Sequence, residues 1–138
     1  SVGNELGSGQ AYNYIAYCFT DIKGYSKCST YTGNGSSNGP FVWTGFKPSF
    51  ILMKNFSSGG NSWRIYDNKR DTFNEMDNAL FPDSSAVEGN YDAIDFLSNG
   101  FKWRNSNAAI NGSGSSYIYM AFAENPFVTS EGVPATAR

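Results

Sequence analysis

Large apolar residues recur along this chain mostly at every second position, the period of a β-strand, and only briefly at helical spacing. Residues 12–19 (Y-N-Y-I-A-Y-C-F) carry apolar groups on both faces, the pattern of a central strand. The D-I-K-G turn at 21–24 and the alternation of 25–32 supply its expected hairpin partner. Residues 33–40 (G-N-G-S-S-N-G-P) read as a loop, 41–44 as a short strand, and 50–53 (F-I-L-M) as the most buried segment. A Ser/Gly stretch at 57–61 leads into residues 63–66 (W-R-I-Y). Thr72 and Glu75 have the spacing of a capping box, with Phe73, Met76 and Leu80 on one face before Pro82. That spacing predicts one short helix within 72–80.

The hairpin at 94–105 has the most specific local prediction. Asn99-Gly100 suits a two-residue type I′ turn, since both residues tolerate positive φ. The turn would pair Ser98 with Phe101, Leu97 with Lys102, Phe96 with Trp103 and Asp95 with Arg104. An aromatic pair and an opposite-charge pair would then each contribute roughly 0.2–1 kcal/mol.

The pattern repeats once at long range. Residues 7–17 (G-S-G-Q-A-Y-N-Y-I-A-Y) recur as 112–122 (G-S-G-S-S-Y-I-Y-M-A-F), with two glycines, a serine, two tyrosines and an alanine identical. The spacing is domain-sized and too long for a solenoid unit. Two readings stay open: residues 1–19 supply a strand equivalent to the end of a preceding repeat, or two like strands lie side by side in a pseudo-symmetric sandwich. The expected division is therefore 1–19 as a strand segment, 20–127 as a β-sandwich domain and 128–138 as a polar C-terminal tail.

Composition sharpens the fold class. Gly, Ser, Asn and Thr make up 55 of the 138 residues, which alone would suggest disorder, but 23 residues are aromatic and only 16% are charged. Aromatic strands separated by small polar loops predict an all-β, antiparallel, jelly-roll-like sandwich. A net charge of −2 argues against a nucleic-acid surface, and no apolar run is long enough to cross a membrane as a helix. The absence of histidine removes Ser-His-Asp and Cys-His catalysis and the commonest metal ligand. Cys18 and Cys28 lack zinc spacing; two buried free thiols are expected, with a bridge conceivable across the 21–24 turn. No cofactor motif is present: the glycine clusters lack a P-loop lysine and its helix.

Several stretches resemble the C-terminal domains of tail-associated virion proteins of tailed bacteriophages, especially marine ones. They are 14–19 (Y-I-A-Y-C-F), 24–27 (G-Y-S-K), 31–35 (Y-T-G-N-G), 39–50 (G-P-F-V-W-T-G-F-K-P-S-F), 94–102 (I-D-F-L-S-N-G-F-K) and 117–127 (Y-I-Y-M-A-F-A-E-N-P-F). Cys28 departs from an aromatic expected after Gly-Tyr-Ser-Lys. The resemblance implies a β-rich distal module in the virion, in a tail fibre or related appendage. Such a module would form a homo-oligomer, a trimer first, contact other virion proteins, and serve adhesion to the host. No catalytic residue is carried with it.

The candidate binding residues are Trp43, Trp63 and Trp103, whose ring planes suit sugar C–H faces, with Arg64 and Arg104 beside them as donors to hydroxyls or carboxylates. Core burial is the competing role for each tryptophan. The carboxylates cluster as Asp67, Asp71, Glu75 and Asp77, then Asp92 and Asp95. A glycan depolymerase would need two of them about 5–10 Å apart across a sugar, whereas turn, cap and ion-pair roles account for them structurally. Asp67 to Asp71 fails the EF-hand spacing. The expected function is therefore non-enzymatic: host-glycan or host-protein recognition, with a purely structural module (fibre cap or particle decoration) as the rival.

Overall fold

Alternation becomes strand structure in eight places across residues 16–125, the span that the computed structural model describes. They are β1 (Ser26–Thr32), β2 (Phe41–Trp43), β3 (Phe50–Asn55), β4 (Arg64–Asp67), β5 (Met76–Ala79), β6 (Gly89–Leu97), β7 (Gly100–Trp103) and β8 (Ser116–Phe122). One helical turn, α1 (Ala108–Asn111), links β7 to β8. The strands form two antiparallel four-stranded sheets, ordered β1-β8-β3-β4 and β2-β7-β6-β5. First pairs with last and second with second-to-last, as in a jelly roll, and the chain changes sheets at β1–β2, β2–β3, β4–β5 and β7–β8. The all-β sandwich expected from composition is the observed fold.

Each sheet buries one set of alternate residues. From the first sheet come Tyr31, Ile51, Met53, Tyr66, Tyr117, Tyr119 and Ala121; from the second, Val42, Met76, Ala79, Ile94, Phe96, Phe101 and Trp103. Tyr31 stacks on Tyr117 with centroids 4.7 Å apart, and Phe101 meets Tyr119 edge-on at 5.2 Å. Tyr66 meets Trp103 edge-on at 5.6 Å. Such pairs add about 0.5–1.5 kcal/mol each beyond the area they bury. The buried phenols find partners: Tyr31 Oη donates to the Ile110 carbonyl at 2.7 Å, and Tyr117 Oη donates to that of Ala108 at 2.7 Å.

Four local expectations are corrected. The β6–β7 hairpin pairs Leu97 with Gly100, Phe96 with Phe101, Asp95 with Lys102 and Ile94 with Trp103, so the turn is Ser98-Asn99 and not Asn99-Gly100. Gly100 is needed inside the strand: a Cβ there would lie 2.2 Å from the Val42 carbonyl oxygen and 2.9 Å from the Phe41 ring. The shift is by two positions, so every side chain keeps its face, and Arg104 Nε still reaches Asp95 Oδ2 at 2.5 Å.

No helix forms within 72–80. Met76–Ala79 is β5, paired with β6, and Phe73 points into solvent. Asn74 pairs through its carboxamide with the backbone N–H and carbonyl of Phe96, and Asp71 accepts from the backbone of Asp77 and Asn78. Tertiary pairing with β6 outweighs the local capping signal. The helical turn falls instead at α1, where the Asn107 side chain accepts from Ala109 N.

The partner of β1 is β8, registered from Ser26–Phe122 to Thr32–Ser116. Residues 16–20 form no strand, and the rest of the predicted 12–19 strand lies outside the described residues, as do most of the 7–17 echo and the 128–138 tail. Both cysteines are free; Cys18 is exposed and Cys28 half-buried, so the expected burial does not hold.

Candidate functional site

β2 is an edge strand, and its alternation sends Val42 inward and Phe41 and Trp43 outward. Trp43 is 60% exposed. The following turn is held from below: Thr44 N and Gly45 N both donate to the Asn99 carbonyl, at 3.0 and 3.1 Å. Thr44 Oγ1 donates to the Phe46 carbonyl at 2.6 Å, and Phe46 is buried. Gly45 sits at φ +86°, and a Cβ there would lie 3.0 Å from the Trp43 ring. The glycine thus permits both the turn and the close approach of the indole to it.

Opposite the indole lies the segment that leads into β1. Ser26 N and Ile22 N exchange hydrogen bonds with each other's carbonyls at 3.0 Å, and Ser26 Oγ donates to Thr20 O at 2.8 Å. Asp21 accepts from Cys28 N at 2.7 Å and from Lys27 Nζ at 2.9 Å. The Cys28 N–H and then the Lys27 ammonium hold the Asp21 carboxyl below the usual aspartate value. Between this segment and Trp43 is an open cleft of about 300 Å³, with Asp21, Lys23 and Lys27 at its rim. Lys23 forms no ion pair among the described residues. The cleft is therefore lined by one indole, one Asp21–Lys27 ion pair and the Lys23 ammonium.

The other four sequence candidates lie elsewhere. Trp103 is fully buried in the core. Trp63 is half-buried, under Lys54 Nζ at 5.6 Å from its ring centre, and its backbone N–H donates to the Asp83 carboxylate at 3.1 Å. Arg64 points inward from β4 and pairs with Asp92 of β6 across the sandwich, Nη2 to Oδ2 at 3.4 Å, and its guanidinium lies over Phe81. Arg104 is committed to Asp95. Of the five, Trp43 lines the cleft that also holds charged side chains, and Trp63 lines a separate apolar groove with Leu52 and Met120. Asp21, Lys23 and Lys27 were not singled out in the sequence because a turn-like D-I-K-G has no marker of a ligand role. Residues 41–43 (F-V-W) are all apolar, so the sequence does not show which of them face solvent.

The carboxylates are similarly dispersed. Asp67 accepts from Lys69 N and Arg70 N and pairs with the Arg70 guanidinium at 2.6 Å. Asp71 braces Asp77 and Asn78. Burial pushes the Asp92 carboxyl above the usual value despite Arg64, but its side chain is closed off from solvent. The Trp43 cleft has Asp21 as its carboxylate.

No curated protein and no solved structure matches the chain. The sequence pattern of one family does match, over residues 1–126, and the chain belongs to that family, DUF7483, described as a domain of unknown function.

Proposed function

We propose that this domain is a non-enzymatic recognition module of a bacteriophage virion, part of a tail fibre or related appendage, that adheres to a host-surface glycan through the Trp43 cleft. The observation that carries the reading is a 60%-exposed indole at the mouth of a cleft of about 300 Å³ rimmed by Asp21, Lys23 and Lys27. A sugar ring stacks its C–H face on such an indole while its hydroxyls and acidic groups take the carboxylate and ammonium groups. A cleft built on loops held by a rigid sandwich is a common place for variable recognition. Resemblance of the 14–19, 24–27, 31–35, 39–50, 94–102 and 117–127 stretches to tail-associated virion domains supports the virion setting. In a homo-oligomer, repetition of a weak single site gives useful avidity. The use of Asp67, Asp71, Asp92 and Asp95 in backbone and ion-pair contacts weighs against a depolymerase.

The test is binding of the purified chain to an array of bacterial surface oligosaccharides, followed by titration calorimetry on the best glycan. Trp43→Ala should weaken binding by about tenfold or more, a loss typical of a binding anchor, with an unchanged melting temperature. Binding of Trp43→Ala at wild-type strength would contradict the reading.

A further inference from the structure

The stretch of chain that carries Trp43 touches two clefts. Trp43 and Gly45 line the first, and Lys47 and Ser49 line a second of about 220 Å³ that Asn68 and Glu124 also border. Both clefts lie at the same end of the sandwich, where the chain crosses from β2 to β3. Ser49 N donates to the Phe122 carbonyl and Ala123 N to the Tyr25 carbonyl, each at 2.7 Å, which gathers the end of β8 with the starts of β1 and β3. Residues 43 and 47 are four positions apart, so at most about 14 Å separates their backbones.

The charges at this end leave one sign unmatched. Asp21 accepts from Cys28 N through Oδ1 and from Lys27 Nζ through Oδ2, and Glu124 pairs with Lys69. Lys23 in the first cleft and Lys47 in the second are exposed and form no ion pair among the described residues. Each cleft thus holds one unmatched ammonium, in a chain whose formal net charge is −2. Local positive charge on an acidic protein draws anions to that place and not to the surface at large.

We propose that the ligand of the Trp43 cleft is an acidic polysaccharide, with one sugar on the indole and an anionic group at Lys23. The glycan then follows residues 43–49 and brings a second anionic group to Lys47. This rests on the glycan reading of the Trp43 cleft and narrows it. A neutral sugar can use the indole, but only an anion gains from the two unmatched lysines. An ammonium is a point charge that selects sign more than shape, so carboxylate and phosphate both fit.

The test is titration calorimetry of the full chain with uronate oligosaccharides and with phosphate-bearing ones. Each is measured beside a neutral counterpart, with its carboxyl reduced or its phosphate removed. Binding by either acidic series supports the proposal and identifies the anion, and neutralisation should weaken it by about fivefold or more. Lys23→Gln and Lys47→Gln should each weaken the acidic members by about two- to fivefold, the range of one exposed ion pair. Each should also reduce the salt dependence of binding, with the neutral counterparts and the melting temperature unchanged. Equal binding of acidic and neutral members overturns the acidic-glycan proposal, as do lysine variants that bind acidic members at wild-type strength. In both cases the Trp43 reading stands if Trp43→Ala still weakens binding. Polyglutamate bound as tightly as the acidic oligosaccharides also overturns the proposal, since charge alone would then suffice. A Trp43→Ala chain that binds every member at wild-type strength, or a wild-type chain that binds none, overturns the Trp43 reading and this proposal together.

Discussion

Arg64 and Asp92 are 28 positions apart, on different sheets, and meet only because β4 and β6 both turn these positions inward. Nothing in their sequence surroundings marks them as partners, and Arg64 read as a surface donor beside a tryptophan. Once buried, the pair is costly to break and cheap to replace: removing one partner leaves an uncompensated charge, whereas an apolar pair of similar volume is often neutral. Asp92→Leu should cost about 3–5 kcal/mol, and adding Arg64→Met should restore most of that loss in urea unfolding. Strictly additive losses would show that the two side chains are not coupled. Asp67 obeys a different logic. Burial pushes its carboxyl up, but the Arg70 guanidinium and the N–H groups of Arg70 and Lys69 outweigh that and hold it below the usual value. The folded state then binds protons less readily than the unfolded one, so this contribution is present above the ordinary aspartate value and is lost as the pH falls through the folded one. Asp67→Asn should lower the melting temperature at pH 7, and the gap to wild type should close as the pH drops below about 3.9. A gap that stays constant down to acid unfolding would contradict this.

At the level of elements, the strands with strong alternation were legible and the turns were not. Residues 25–32 and 41–44 became β1 and β2, and the buried-looking 50–53 became the start of β3. Asn99-Gly100 misled because a good turn dipeptide is only a local preference. Gly100 is claimed by β2, whose Val42 carbonyl passes where any side chain would stand. Gly100→Ala should therefore destabilise the domain by about 1–3 kcal/mol, the range for overpacking, and should specifically loosen β2. Hydrogen exchange should show faster exchange at Phe41 to Gly45 than in the rest of the sheet. Unchanged protection there would mean that the close approach is not limiting. The capping box at Thr72 misled in the same way, because Asn74 and Asp71 spend their side chains on β5 and β6. Loop ordering by a single buried amide was also invisible: Asn111 donates to Asn34 Oδ1, Ser36 O and Asn105 O and accepts from Asn34 N, tying three connections together.

The whole molecule separates two kinds of surface. One end of the second sheet carries a cleft with an exposed indole and charged side chains, and the flank of the first sheet carries an apolar floor. Composition foretold the sandwich because 23 aromatic residues need two facing sheets to bury them. It named Trp43 as one candidate among five, but could not rank them, since ranking depends on which face of each strand meets the core. The polar half of the site, Asp21, Lys23 and Lys27, emerged only when the segment before β1 folded opposite the turn after β2. The most direct test of a glycan-recognition module is an NMR titration of the labelled chain with the strongest ligand from the oligosaccharide array. The indole N–H of Trp43 and the amides of Gly24, Lys27 and Gly45 should shift together and saturably, while the indole N–H of Trp103 stays in place. Shifts that gather on Leu52, Met120 and Trp63, or that appear nowhere on the protein, would contradict the account.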